Sequence, residues 1–185
     1  MKRRCGGCTL CCKLLPVREL AKAANTKCDH QSSKGCGIYR KLGFPLSCGL
    51  WNCRWLIGQD TADMQRPDRV GYVLDMMPDA VIARNDETGE SINIIVIQVW
   101  VDGSFKRALE DRALWRYAER LGEDGKALIL RNGSSDAVTM FPPSMASDHK
   151  WHVIGGDQMT VKKTGGNMLL QMARQARRSA NLEPV

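Results

Sequence analysis

The stretch CGGCTLCC, residues 5 to 12, places four cysteines within eight positions. Cys5, Cys8 and Cys11 recur at every third residue and Cys12 follows at once. Cys28, Cys36, Cys48 and Cys53 complete a set of eight, all in the first third of a 185-residue chain. Four kinds of chemistry compete to explain such density: a disulfide frame, a zinc site, an iron-sulfur cluster, or reactive redox thiols. A chain of this length needs no disulfides to be stable. Its start, MKRRCGGCTLCCKLLPV, has the positive n-region of a signal peptide but no apolar h-region and no small-residue cleavage site. A cytoplasmic location is the expectation, and reducing compartments favour metal binding or catalysis over stable disulfides.

Charge is as one-sided as the cysteines. Residues 1 to 60 carry eleven Lys/Arg against three Asp/Glu, a balance of +8, while residues 61 to 185 carry sixteen against seventeen. A basic module invites a nucleic-acid reading. It also suits a metal site: four thiolates around zinc or in a [4Fe-4S] cluster leave about −2, and nearby Lys and Arg lower thiol pKa values. The shared break in cysteine content and charge points to two modules that melt separately. Hydrophobic residues at 43% and charged residues at 25% give the balance of a globular protein with a core. The longest apolar run, INIIVIQVWV at 92–101, is interrupted by Asn93 and Gln98 and falls short of the ~20 residues of a membrane span. It reads as a buried strand, and no membrane partner is expected.

Along the chain, LPVRELAKAA at 15–24 predicts a short helix with Pro16 in its first turn and Leu20, Ala23 and Ala24 at helical spacing. CDHQSSKGCG then forms a polar loop, and IYRKLGF and GLWNCRWLIG predict helical turns that supply Ile38, Tyr39, Trp51, Trp55 and Leu56 to a small core. QDTADMQRPD, residues 59 to 68, is the expected linker. Beyond it, VGYVLD, AVIA and INIIVIQVWV predict a meander of strands. Phe105, Leu109, Ala113, Tyr117 and Leu121 mark an amphipathic helix lying on the sheet. KALILR and AVTMF form a hairpin, WHVI a short strand, and Asn167 caps a last helix that buries Leu169, Met172, Ala173 and Ala176 and carries Arg174, Arg177 and Arg178 outside. The fold class expected is α+β: a cysteine-rich metal-binding module with short helices over 1–58, a linker at 59–68, a small antiparallel or mixed sheet with one or two packed helices over 69–180, and a flexible tail at 181–185.

The spacing of Cys5, Cys8 and Cys11 matches the opening of a bacterial ferredoxin run, C-x2-C-x2-C-x3-C-P, but Leu15 stands where its fourth cysteine would fall. A fourth ligand must be Cys12 or come from Cys28, Cys36, Cys48 and Cys53. Adjacent side chains diverge by about 100° on a helix and about 180° on a strand, so Cys11 and Cys12 are expected to face different sites. Eight cysteines allow two closed zinc sites, two clusters, or one of each, with His30 in reserve. The bland alternative is that one or two of the later cysteines are simply small buried hydrophobes.

These residues resemble the YkgJ-like cysteine-cluster family, defined by a CxxCxxCC signature and described as zinc- or iron-chelating proteins, often labelled iron-sulfur proteins. Cys5, Cys8, Cys11 and Cys12 carry the signature, and Cys36, Ile38, Tyr39, Cys48 and Cys53 match its downstream block, with Trp55 at an aromatic position. KLGFPLS departs from the family by replacing an Arg-Pro segment, so a role for that arginine does not carry over. The resemblance covers roughly residues 5 to 57 and implies metal binding through cysteine, without naming a reaction.

Elsewhere the signals are bland. His149 and His152 have metal spacing but no third ligand, GGDQ and TGGN read as turns, and Asp75, Asp79, Asp86 and Glu87 read as solvated turn residues. The expectation is a metal-binding protein holding an iron-sulfur cluster, [4Fe-4S] in type, or zinc through Cys5, Cys8, Cys11, Cys12, Cys28, Cys36, Cys48 and Cys53, with a redox or electron-transfer role and an unidentified protein partner. The competing expectation is a zinc-stabilised interaction or nucleic-acid-binding module, in which Trp51, Trp55 and the lysines contact the partner.

Overall fold

Six apolar or large residues in a row, VIQVWV, form strand β6 (Val96–Val101), and all six are buried. A strand buried on both faces needs a layer on each side, and this requirement organises the chain. The computed structural model describes residues 3–76, 81–84, 91–105, 107–132, 136–141, 152–155 and 162–163. The fold is α+β. β6 lies in a six-stranded sheet with β3 (Tyr72–Met76), β7 (Ala127–Asn132), β8 (Asp136–Phe141), β9 (His152–Gly155) and β10 (Lys162–Lys163), in the order β10-β9-β8-β7-β6-β3. All neighbours run antiparallel except β6 and β7, which are parallel and register Val96 with Ala127 and Trp100 with Arg131. The parallel pair is joined by a crossover through helix α5 (Arg112–Glu123).

One face of the sheet, Tyr72, Leu74, Ile97, Val99, Val101, Leu128 and Leu130, packs on Leu109, Ala113, Leu114, Tyr117, Ala118 and Leu121. Asp111 caps α5, its carboxylate accepting from Ala113 N at 3.0 Å and from the Tyr72 hydroxyl at 2.7 Å. The helix starts later than the repeat from Phe105 predicts. Phe105 N closes a turn onto Asp102 O at 2.8 Å, and a Cβ at left-handed Gly71 would come within 2.3 Å of its ring. Contact with that glycine holds Phe105 outside the helix.

The opposite face is roofed by the cysteine-rich segment. Leu14 and Cys53 pack on Val73 and Trp100 to form a second buried cluster, with Leu10, Cys11, Trp51, Trp55 and Leu56 around it. Leu14 belongs to helix α1 (Leu10–Leu14), and Cys53 directly precedes α3 (Arg54–Ile57). Polar bonds reinforce the roof: Lys13 Nζ pairs with Asp102 at 2.7 Å, and Trp51 Nε1 donates to Asp75 at 2.7 Å. The remaining small elements are strands β1 (Gln31–Ser32) and β2 (Gly35–Cys36), and helices α2 (Leu46–Leu50) and α4 (Pro67–Val70).

Several local expectations change. Residues 15–24 hold only a 3-10 turn at Arg18–Leu20, because Val17 and Lys22 exchange backbone hydrogen bonds at 3.0 Å across a left-handed Ala21. The first helix lies earlier, at α1, and ends as Leu15 becomes extended before Pro16. The run 92–101 is two strands: β5 (Ser91–Ile94) pairs with β4 (Val81–Arg84) as a separate ribbon, and Ile95 between them is exposed. Its carbonyl accepts from Ala127 N instead. Residues 59–68, expected as a linker, carry a 3-10 turn at Gln59–Thr61 and the start of α4, and Arg120 of α5 reaches back to Asp63 at 3.0 Å and Asp60 O at 2.9 Å. The helix expected from Asn167 lies outside the described residues, as does the tail at 181–185.

Because Leu14 is fully buried in a cluster drawn from both the cysteine-rich segment and the sheet, Leu14→Ala should cost about 2–5 kcal/mol. Tryptophan fluorescence and far-ultraviolet circular dichroism should report one coincident urea transition, shifted to lower denaturant. Two separated transitions would show instead that the roof and the sheet fold apart.

Candidate metal centre

All eight cysteines are free thiols: Cys5 and Cys48 are exposed, Cys53 is buried, and the other five are half-buried. Cys5 and Cys8 share a turn closed by Cys8 N to Cys5 O at 3.0 Å, passing through left-handed Gly6. Cys11 and Cys12 follow on α1. Cys28 is brought to the same place by its own backbone, Cys28 N donating to Cys12 O at 3.1 Å. Gln31 N then bonds Cys28 O at 2.9 Å, and Gln31 faces Cys36 across the β1–β2 ribbon. The Gln31 amide also donates to Thr9 Oγ1 at 2.8 Å, tying the ribbon to the start of α1. Cys48 sits on α2, which is anchored when Ser47 N and Oγ donate to the Glu19 carboxylate at 3.0 and 2.9 Å. Sequence spacing shows none of this long-range closure, which runs through carbonyls and through Gln31 and Glu19.

The electrostatics separate the thiols. Cys11 and Cys12, neighbours on α1, perturb one another more than any other pair of thiols. Cys11 is driven far up, first by its neighbour Cys12, with burial acting in the same direction. Cys12 is lowered to about 7, chiefly by Cys11, with Lys22 helping against the opposing effect of burial. Burial pushes Cys53 up to about 11 and raises Cys5, Cys8 and Cys48.

Two cations serve the thiols. Lys22 is 9% exposed, and its ammonium donates to the carbonyls of Leu15, Ala23 (3.1 Å) and Lys13 (3.2 Å). It lies within electrostatic reach of Cys28, Cys12, Cys48 and Cys11, and burial lowers its own pKa. The sequence offers one faint signal for this role, a lone lysine among small residues in AKAA. Arg66, paired with Asp68 at 2.6 Å, stands near Cys8 and Cys5. Its pull on Cys5 is outweighed by burial.

Among the described residues no three His, Cys, Asp or Glu side chains yet meet as a group able to hold an ion. The donor set nonetheless fits zinc or an iron-sulfur cluster in kind and number: soft thiols in multiples of four, two adjacent cations, and short loops that can close. Any loading must draw the sulfurs together, as is common where metal binding completes folding. His30, the reserve ligand, lies in the turn after Cys28, its carbonyl accepting from Gly37 N at 2.8 Å. Trp51 and Trp55, expected in a small core and only under the competing reading at a partner, are half-buried against the roof cluster, and Trp55 Nε1 donates to Met64 O at 3.0 Å. Asp75, expected in a turn, lies on β3 and accepts from Trp51. Asp79, Asp86, Glu87 and His149 lie outside the described residues, as do most of GGDQ and all of TGGN, while His152 opens β9. No helix among the described residues is long and apolar enough to cross a membrane. No family model matches the chain, and no curated protein or solved structure matches it either.

Removing the Lys22 ammonium strips three carbonyls of a donor. Lys22→Met should therefore lower stability by about 1–3 kcal/mol in urea denaturation of the metal-free chain. An unchanged midpoint would mean that those carbonyls are satisfied by water.

Proposed function

We propose that the chain is a metal-binding protein whose clustered cysteines coordinate an iron-sulfur cluster or zinc. Supporting this reading is the gathering of Cys12, Cys28 and Cys36 by backbone hydrogen bonds made outside regular helices, with a buried cation beside them. Such a convergence of free thiols has no use in packing alone, since only Cys53 is buried. The likeness to the YkgJ-like signature rests on the same residues. An iron-sulfur cluster supplies one-electron chemistry when bound, whereas zinc supplies a structural cross-link.

The protein's own residues then have defined tasks. Leu14, Cys53, Val73 and Trp100 exclude water from the inner side of the thiol group. Lys22 and Arg66 offset thiolate charge. Exposed Cys5 and Cys48 leave the outer side open to a protein partner, and a redox or electron-transfer role follows for the iron form.

A second reading, a zinc-stabilised interaction or nucleic-acid-binding module, is favoured by one observation. Tyr39, Leu42, Leu46 and Leu50 are exposed in a stretch, residues 30–59, that contains no Asp or Glu. With Trp51 and Trp55 packed inward, few aromatic faces are left for stacking on bases.

Metal analysis of protein purified without oxygen tests the first reading. A brown protein absorbing near 400 nm with about four irons per cluster is expected for the iron form. A colourless protein holding zinc alone would remove the cluster, and one that takes up neither metal would remove the metal-binding reading altogether. For the second reading, a mobility shift with RNA or DNA that weakens as salt rises is required.

A further inference from the structure

The eight thiols are not equidistant neighbours, and their backbone connections sort them. Cys5 and Cys8 belong to one turn, with Arg66 at their side. Cys11, a helical turn further on, packs against the buried cluster that contains Cys53, and Cys53 lies within electrostatic reach of Cys8. Cys12 instead accepts the backbone bond from Cys28 through its carbonyl, and Cys28 in turn accepts from Gln31, the cross-strand partner of Cys36. Cys48, carried by α2, lies within electrostatic reach of Cys12, Cys28 and Cys36. Lys22 acts on Cys28, Cys12 and Cys48 ahead of Cys11.

Resting on the metal-binding reading, we infer that the chain builds two adjacent four-cysteine sites: Cys5, Cys8, Cys11 and Cys53 on the sheet side, and Cys12, Cys28, Cys36 and Cys48 on the outer side. The peptide unit between Cys11 and Cys12 is the partition wall: Cys11 packs toward the buried cluster, while the Cys12 carbonyl holds Cys28. Each site has four soft donors, the number that closes a tetrahedral zinc shell or the corners of a cubane cluster. Arg66 stands beside the first site, and Lys22 stands beside the second and reaches Cys11 of the first, against a loaded charge of about −2 per site. On loading, the protonated thiols release their protons to solvent. The sheet-side site shares Cys53 with the hydrophobic cluster, so its occupancy is linked to the packing of the roof. The outer site is built from two short helices, a loop and the β1–β2 ribbon.

The test uses the full chain, prepared metal-free without oxygen and titrated with cobalt(II) alone, whose sulfur-to-metal absorption counts thiolate-bound ions. The unaltered chain should take about two ions, since each site of four thiolates holds one. Cys8→Ser and Cys36→Ser should each lose one. The decisive comparison is between pairs. Cys28→Ser with Cys36→Ser, both in the outer site, should still lose only one ion, whereas Cys8→Ser with Cys36→Ser should lose both. A same-site pair that abolishes both ions, or a cross-site pair that keeps one, would overturn the partition. An unaltered chain that binds a single ion through its thiols would overturn the second site while leaving metal binding in place. An unaltered chain with no thiolate-cobalt absorption would remove the metal-binding reading itself. Cys53→Ser, which alters a buried side chain, is paired with Cys5→Ser: both should lose the same single ion, and loss of different ions would separate them.

Discussion

The packing of Leu14 and Cys53 onto Val73 and Trp100 is the contact on which the architecture turns. It lets β6 be buried on both faces, with α5 beneath and the cysteine-rich loops above. It also anchors those loops, whose helices of four or five residues are too short to persist alone. Their order comes from the sheet they cover. The parallel pair of β6 and β7 needs shielding on both sides, and over Trp100 of β6 the thiol-bearing segment supplies it.

Where hydrophobic periodicity was strong, local reading succeeded. β3, the β7–β8 hairpin and α5 follow patterns of two and of 3.6 residues that burial alone enforces. Residues 15–24 failed because a helical pattern of alanines and leucines competes there with an inward-turned lysine that needs carbonyl acceptors, and the carbonyls are freed only if the helix does not form. The break at Ile95 was hidden because β-branched residues suit either side of it equally well. Trp51 and Trp55 were legible as part of a small core, and their inward packing is completed by Asp75 and Met64 O, which accept from the two indole N–H groups.

The thiols themselves were legible as a group, and their arrangement was not. Spacing could show that Cys5, Cys8 and Cys11 stand in a row, but the approach of Cys28 to Cys12 depends on a single carbonyl and the seating of Cys48 on a glutamate 28 residues from Ser47. Nor does the +8 of the first 60 residues serve the thiols as a whole. Of those residues Lys22 stands beside them, while Lys13 pairs with Asp102 and Arg54 with Asp60, and the second cation at the thiols, Arg66, lies beyond residue 60.

Lys22 differs from an ordinary surface lysine in what holds it. Its ammonium is positioned by carbonyl dipoles and shielded from solvent, so it neither exchanges with mobile ions nor swings away. Coulombic interactions between exposed charges fade over about 8 Å in physiological salt, whereas those between buried groups are screened far less. The thiols beside it therefore have a built-in countercharge, and their electrostatic balance becomes largely a property of the fold, decoupled from the ionic strength of the surroundings.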